Sequence, residues 1–355
     1  MHMADALISP AVGGSFWAVS CGLIGISARK TQRHLEDYAI PMMGVLGAFV
    51  FAAQMINYTI PSTGSSGHIG GGLLLAVLLG PWAGFLVLAS VLSVQAFFFM
   101  DGGLLALGCN IFNLGFFPCF VAYPLVFLPA SGAHPSPARL TFAAVIATVV
   151  GLQFGALGVI FQTLVSGISS LSFSAFASIM LPVHLAIGLV EGVITSTIVT
   201  LLAKARPEAI ALGREHKTTP QTAWIIAKVF LPIAAVIAIA LSWFASTHPD
   251  GLEWSLARLG IDTEAEAAPS GLNQALNRTQ ESMALFPDYR LPAPTDAAGA
   301  GPSTESWPNV EAGTSLAGLV GGMITLITVG LCAVLLHLAK RRRERARASQ
   351  PVHPL

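Results

Sequence analysis

Apolar runs separated by short polar or glycine–proline punctuation dominate the chain. Runs with few charges cover Val12–Ala28, Ile40–Ile56, Ile69–Leu79, Trp82–Phe99, Leu104–Leu128, Leu140–Leu164, Leu181–Ala203, Ala223–Ala245 and Ser315–Ala339. A helix that crosses a bilayer needs roughly 20 apolar residues, fewer where neighbours bury it. The pattern predicts an all-α polytopic membrane bundle of about nine transmembrane helices, the third being the shortest. Gly80-Pro81 makes the third and fourth runs a tight hairpin. The polar stretch Lys204–Gln221 separates seven runs from the last two. The expected organisation is a seven-helix part over 1–206 and a cytoplasmic linker over 207–221. A two-helix part over 222–339 then surrounds an outside loop, 246–313, and a basic tail, 340–355, ends the chain.

Charge placement orients this bundle. Between Ile40 and Ala203 only Asp101, Arg139 and Glu191 carry formal charge. The loop Ser246–Gly313 holds ten acids and three bases, leaving fifteen bases beside eight acids elsewhere, so the net charge of zero is a sum of opposite blocks. With the amino terminus outside, the short-loop bases Arg29, Lys30, Arg33, Arg139, Lys204, Arg206, Arg214 and Lys217 and the Lys340–Arg347 cluster all fall inside. The carboxyl terminus is then cytoplasmic and the acidic loop outside. The first run has bases after it and none before it, which predicts N-out insertion without a cleaved signal peptide, so that the amino terminus is retained.

Composition narrows the function classes. The 355 residues are 54% hydrophobic and 10% charged, against about 25% charged in a soluble domain. A nucleic-acid binder would show a basic excess, and this chain shows none. The four cysteines, Cys21, Cys109, Cys119 and Cys332, all lie inside predicted spans without metal-ligand spacing, and read as small packing residues with no disulfide. The loop Ser246–Gly313 carries seven prolines; its latter half reads as extended or disordered, and composition excludes both loop and tail from catalysis. The tail reads as a solvated basic stop that fixes topology rather than a lipid-recognition site.

The amino terminus carries the chemistry. Histidine at position two is too bulky for routine removal of the initiator, so Met1 is expected to stay. Its amine, the backbone amide nitrogen of His2 and the His2 imidazole can close two small chelate rings on one ion. Three near-coplanar nitrogens need one more to complete a square plane, the geometry that selects Ni(II) or Cu(II). His68, in Gly67-His68-Ile69-Gly70-Gly71-Gly72, is a candidate fourth donor, because its flanking glycines let another backbone approach. Taken alone, the segment reads equally as a helix start at the membrane interface.

Polar residues inside spans are costly and tend to mark pathways. Gln95 and Asp101 bracket the outer end of the fourth run, Asn110 and Asn113 share a face of the fifth, and His184 and Glu191 share a face of the seventh. They either hold the terminal loop and orient the imidazoles or bond helix to helix. Small residues at spacing four, Gly14, Ala18 and Gly22 in the first run, Gly151 and Gly155 in the sixth, Gly188 and Gly192 in the seventh, allow close helix approach. They serve internal packing or a docked membrane partner.

Four motifs now resemble one family. They are Met1-His2-Met3-Ala4-Asp5 with Leu7-Ile8-Ser9-Pro10, Gly67-His68-Ile69-Gly70-Gly71, Gln95-Ala96 through Asp101-Gly102-Gly103 to Asn110 and Asn113, and His184 to Glu191-Gly192. Together they resemble the substrate-binding membrane component of cobalt/nickel energy-coupling-factor transporters, over residues 1 to about 206. The remainder, with Pro249-Asp250-Gly251-Leu252-Glu253, resembles the small auxiliary component of the same systems, fused in one chain. The resemblance implies a multi-pass protein of a prokaryotic cell (inner) membrane. It implies a metal held by the Met1 amine, the His2 amide and imidazole and the His68 imidazole, as a transported substrate with no catalytic cofactor. It also implies separate partners, a coupling transmembrane subunit and cytoplasmic ABC ATPases. No GxxxxGK[ST] phosphate loop occurs in this chain. Ala4 and Ala6 stand where the family often has Pro and Gly. The Ser9-Pro10 ending and the fused auxiliary part favour Ni(II), with Co(II) as the alternative. A membrane metalloenzyme would need an open coordination position and a base, for which Glu191 is the one intramembrane Glu. A metal sensor would need a larger inside domain than Lys204–Gln221.

Overall fold

The computed structural model describes residues 2–34, 38–168, 171–210, 219–261, 271–291 and 307–348. Each of the nine apolar runs contributes a helix. In chain order these are α1 (Pro10–His34), α2 (Ala39–Gln54), α3 (Gly72–Leu79), α4 (Pro81–Phe99), α5 (Leu107–Ser131), α6 (Pro137–Ser166), α7 (Phe173–Ala205) and α8 (Pro220–Ile239), with α11 (Ala312–Ala348) last. Two further helices, α9 (Gly251–Arg258) and α10 (Gly271–Met283), lie between α8 and α11. Among the described residues seven helices are long and apolar enough to cross a membrane: α1, α4, α5, α6, α7, α8 and α11. The fold is an all-α multi-pass membrane bundle.

Helix starts follow local chemistry. Ser136, Ser172 and Thr219 cap α6, α7 and α8 by accepting a backbone N–H from Arg139, Ala175 and Thr222, and Pro137 and Pro220 occupy first-turn positions where no donor is missed. α2 and α3 are shorter than these seven helices and are buried along almost their whole length. Glycines on α2 admit α11: a Cβ at Gly44 would stand 3.1 Å from the Leu326 carbonyl oxygen, and one at Gly47 3.1 Å from Val329. α8 packs on the same helix, with Phe230 edge-on to Phe49 at 4.8 Å between ring centres. The last two spans are therefore built into the bundle around α2. Large apolar side chains such as Phe142, Phe161, Leu189, Val193 and Leu335 point outward, as a lipid-facing surface requires.

Several sequence expectations shift. α7 begins at Phe173, well before Leu181, and runs through Pro182. Pro118 and Pro124 likewise sit inside α5, whose Phe112–Phe127 stretch is wound as a π-helix; the wider turn accommodates two residues that lack an N–H. A small antiparallel hairpin, β1 (Tyr58–Ile60) with β2 (Ser65–Gly67), precedes α3, so His68 lies in a β2–α3 link rather than in the first turn of a helix. Cys109 and Cys119 are buried packing residues, whereas Cys21 and Cys332 are exposed; all four are free thiols.

The largest correction concerns the acidic loop, whose latter half composition had set apart as extended or disordered. Of that half, 292–306 lie outside the described residues, but α10 (271–283) reaches into it and Pro287–Tyr289 form a 3-10 turn. α9 starts on a capping box: Asp250 accepts the N–H groups of Leu252 and Glu253, and Glu253 accepts the Asp250 N–H. The segment leading to it runs beside the hairpin. Ser66 donates its N–H to the Pro249 carbonyl at 2.8 Å and its hydroxyl to the His248 carbonyl at 2.7 Å, and Ser246 donates its N–H to the Asn57 carbonyl at 2.7 Å. The basic tail continues α11 as helix as far as Ala348.

Candidate metal centre

The amino-terminal segment is held by the link after α4 and by the first turn of α5. Asn110 accepts the Met3 N–H at 2.8 Å and donates to the Met3 carbonyl at 3.3 Å. Gly103 donates its N–H to the same carbonyl at 3.0 Å. Asp5, in a short turn over Asp5–Leu7, accepts the Ala106 N–H at 2.9 Å. Burial pushes the Asp5 carboxyl above its usual range, and the backbone N–H groups of 104–106 work against that. These contacts set His2 down over the end of α4.

There the His2 ring stacks on the His68 ring, with centres 5.2 Å apart and planes 13° from parallel. The Nδ1–H of His2 donates to one Asp101 oxygen at 3.1 Å. The other Asp101 oxygen accepts the Tyr289 hydroxyl at 2.6 Å, a group supplied by the loop 246–313. His68 donates its Nδ1–H to the Ile69 carbonyl at 3.0 Å, which leaves Nε2 as its lone-pair nitrogen. Burial lowers the pKa of His2 to about 3 and of His68 to about 4, so both rings are neutral donors at ordinary pH.

The segment carrying His68 rests on a polar cradle. Gln95 donates to Gln54 at 2.8 Å, and Gln54 donates to the Gly70 carbonyl at 2.9 Å. From the other side Glu191 accepts the Gly71 N–H at 2.9 Å. Gly71 has φ of 74°, and a Cβ there would stand 2.7 Å from Val50, so both conformation and space require glycine.

Above the two rings opens a cavity of about 790 Å³ whose wall includes His2, His68, Asp101, Asp250, Glu253 and Asp288. Burial raises Asp101, with the Tyr289 hydroxyl opposing it, and burial also raises Glu253 and Asp288, which stand near other carboxylates. Burial works against the charged form of Asp250 as well, but neighbouring positive charge and its capping hydrogen bonds hold it below the usual carboxylate range. Among the described residues no three His, Cys, Asp or Glu side chains converge to hold an ion. The chelate read from the sequence draws two of its four nitrogens from the main chain, and its third donor, the Met1 amine, lies outside the described residues. A six-membered ring from the His2 amide closes through Nδ1, the atom now turned to Asp101.

The remaining polar residues divide. Asn113 exchanges two hydrogen bonds with Gln162, at 2.7 and 3.0 Å, and reaches the terminal strand only through a 3.8 Å contact to the Met3 sulfur. His184 donates Nδ1–H to the Met180 carbonyl at 2.8 Å. Gly14, Ala18 and Gly22 form an exposed stripe on α1, and nothing approaches Gly14 or Gly22 within 4 Å. Gly188 and Gly192 instead pack against Val149 and Val145 of α6. Sequence reasoning missed Gln54, Asp5, Tyr289 and Gln280. Gln280 donates to the Ala96 and Gly102 carbonyls at 2.9 and 2.8 Å and pins α10 over the site. The one signal available was the Asp250–Glu253 spacing, which marks a helix start inside the acidic loop.

A family model for the cobalt uptake substrate-specific transmembrane region matches residues 2–209, and a PDGLE-domain model matches 224–338. A putative fused nickel transport protein NikMN of Archaeoglobus fulgidus is 33% identical, over 92% of this chain and 96% of its own. The fused nickel transport protein NikMN of Rhodobacter capsulatus is 30% identical over 96% and 99%. The cobalt transport protein CbiM of Sorangium cellulosum is 30% identical over 59% and 94%. A crystal structure of a transition metal transporter superposes with a TM-score of 0.52 at 29% identity, covering 58% of this chain and 93% of that one. Matched by that family model over more than half its length and by fused relatives almost end to end, the chain belongs to the family of substrate-specific transmembrane components of cobalt/nickel uptake, in the form fused to a PDGLE domain.

Proposed function

We propose that this chain is the metal-capturing subunit of an energy-coupling-factor importer for Ni(II). The ion is held in a plane by four nitrogens: the Met1 amine, the His2 amide and imidazole, and the His68 imidazole. The observation that carries this reading is the stacking of His2 on His68 at the floor of an acid-lined cavity. Both rings are neutral, and a planar nitrogen set suits a d⁸ ion. The fused nickel transport relatives add support. Co(II) is the second reading, favoured by relatives named as cobalt transport proteins.

The chain performs no catalysis itself in this scheme. A coupling transmembrane subunit and cytoplasmic ATPases supply energy, and the bare stripe of Gly14, Ala18 and Gly22 on α1 offers a close-approach surface for the former. The amino terminus and the loop 246–313 face outside, with residues 1–206 as the capturing part and 222–339 as the auxiliary part. Adding a residue before Met1, or the change His2→Ala, is expected to abolish metal-dependent accumulation in cells supplied with the partner subunits. Wild-type transport by the extended chain excludes the amine as a ligand. X-ray absorption of the ion bound to the purified chain distinguishes nickel from cobalt and a planar site from a higher-coordinate one.

A further inference from the structure

Beside His68 a small void of about 10 Å³ is lined by Gly67, His68, Gly70, His184, Ile187, Asp250 and Gly251, with two leucines. This is close to the least volume that holds one water-sized particle. His184 is 1% exposed. Its Nδ1–H is committed to the Met180 carbonyl, which fixes Nε2 as the lone-pair nitrogen, and that nitrogen has no hydrogen-bond partner among the described residues. A buried polar atom left in this state requires a reason. Nothing in the helix packing supplies one, since His184 could be any apolar residue if α7 only had to fill space.

The surroundings fit a cation. Asp250 brings a carboxylate to the wall of the void. The glycines keep the space narrow: a Cβ on Gly251 would stand 3.1 Å from the His184 ring, and one on Gly67 2.6 Å from Ile187. His68 lines both this void and the large cavity, so one imidazole borders two positions that an ion can occupy in turn. Deeper in the bundle a second void of similar size is bordered by Glu191, Thr148 and Asn113.

We propose that Nε2 of His184 is a further nitrogen donor for the transported divalent transition metal, engaged when the ion moves from the terminal chelate into the void beside His68. This rests on the reading of the chain as a Ni(II) or Co(II) capture subunit and adds a second station to it. His68, His184 and Asp250 do not converge on one point as they stand, so the ion binds there with the two imidazoles and draws its other ligands from Asp250 or solvent. Such a station is weaker than the four-nitrogen plane and serves as an intermediate position.

The test uses the full-length purified chain. In His2→Ala the terminal chelate is crippled, and Ni(II) or Co(II) is expected to bind at the inner station with two imidazoles in its X-ray absorption spectrum. Adding His184→Ala is expected to remove one imidazole and weaken binding at least tenfold. If that variant does not fold, His184→Gln, which keeps size and a donor for the Met180 carbonyl, replaces it. With His2 intact, His184→Ala is expected to retain wild-type equilibrium affinity while uptake in cells with the partner subunits slows at least tenfold. An imidazole count and affinity that do not change on losing His184, or no binding by His2→Ala below millimolar metal, overturns the proposal and leaves His184 facing a trapped water. If the wild-type chain itself binds neither metal, the capture reading fails; if it binds in a four-nitrogen site and His184 is silent, only the inner station fails.

Discussion

Asn110 holds the backbone of Met3 by both of its polar groups, accepting the N–H at 2.8 Å and donating to the carbonyl at 3.3 Å. Both residues are fully buried, so the pair sets the height at which the terminal strand, and with it His2, enters the bundle. Removing the amide strands a buried N–H, which costs about 1–3 kcal/mol. Asn110→Ala is therefore expected to weaken metal binding by roughly tenfold or more, measured by competition with a chromophoric chelator. Asn110→Asp keeps the acceptor for the Met3 N–H and is expected to lose less. Equal affinity in wild type and Asn110→Ala would show that the strand is held without this clamp.

The terminal histidine and its helix partners were readable because they are local or follow a repeated pattern. His2 sits at a fixed covalent distance from the amine, and the apolar runs mark their own helices. Tyr289 was not readable. It reaches Asp101 across 188 positions of chain, from a segment whose proline and acid content read as extended or disordered. Gln54 was passed over because it ends an apolar run, where a single amide reads as interface polarity; its role appears only once Gln95 and Gly70 are seen on either side. The apolar run starts at Leu181, yet α7 begins at Phe173 and absorbs Pro182 because the helix is fixed along its length by packing on α6. Long-range closure of this kind leaves no period in the sequence.

Asp101 couples the two parts of the chain, receiving a hydrogen bond from His2 on one oxygen and from Tyr289 on the other. Tyr289→Phe removes the hydroxyl and keeps the ring stacked on Phe99, whose centre is 5.0 Å away. Hydrogen bonds to charged groups contribute about 1.5–3 kcal/mol. A double-mutant cycle of Tyr289→Phe with Asp101→Asn is expected to give a coupling of at least about 1 kcal/mol in metal-binding free energy. Additive effects would mean that the loop does not act on the site through this contact.

The cradle under His68 makes a graded prediction. Glu191→Gln preserves an acceptor for the Gly71 N–H, whereas Glu191→Ala leaves that buried donor unpaired. Gly71→Ala adds a Cβ 2.7 Å from Val50 at a φ of 74°. The expected order of retained affinity is wild type, Glu191→Gln, then Glu191→Ala and Gly71→Ala, the last two also melting several degrees lower in a detergent-based thermal assay. Wild-type affinity in Gly71→Ala would remove the argument that this link must be built on glycine.

Acidity provides a test of both rings at once. Their pKa values, about 3 for His2 and about 4 for His68, lie below the ordinary 6.5, because burial disfavours the charged form. Between about pH 4 and 6.5 the unfolded chain therefore binds more protons than the folded one. The contribution of these groups to stability is present in full above 6.5 and is lost as pH falls through 4 and then 3. For metal uptake the same shift means that neither imidazole has a proton to release between pH 5 and 7. The proposed four-nitrogen site then gives up protons only from the Met1 amine and the His2 amide, so log affinity is expected to rise with pH with a slope of roughly two. Isothermal titration in buffers of different ionisation enthalpy counts those protons directly. A count near four at pH 5.5 would show that the rings titrate normally and that the neutral stack of His2 on His68 is not the state that receives the ion.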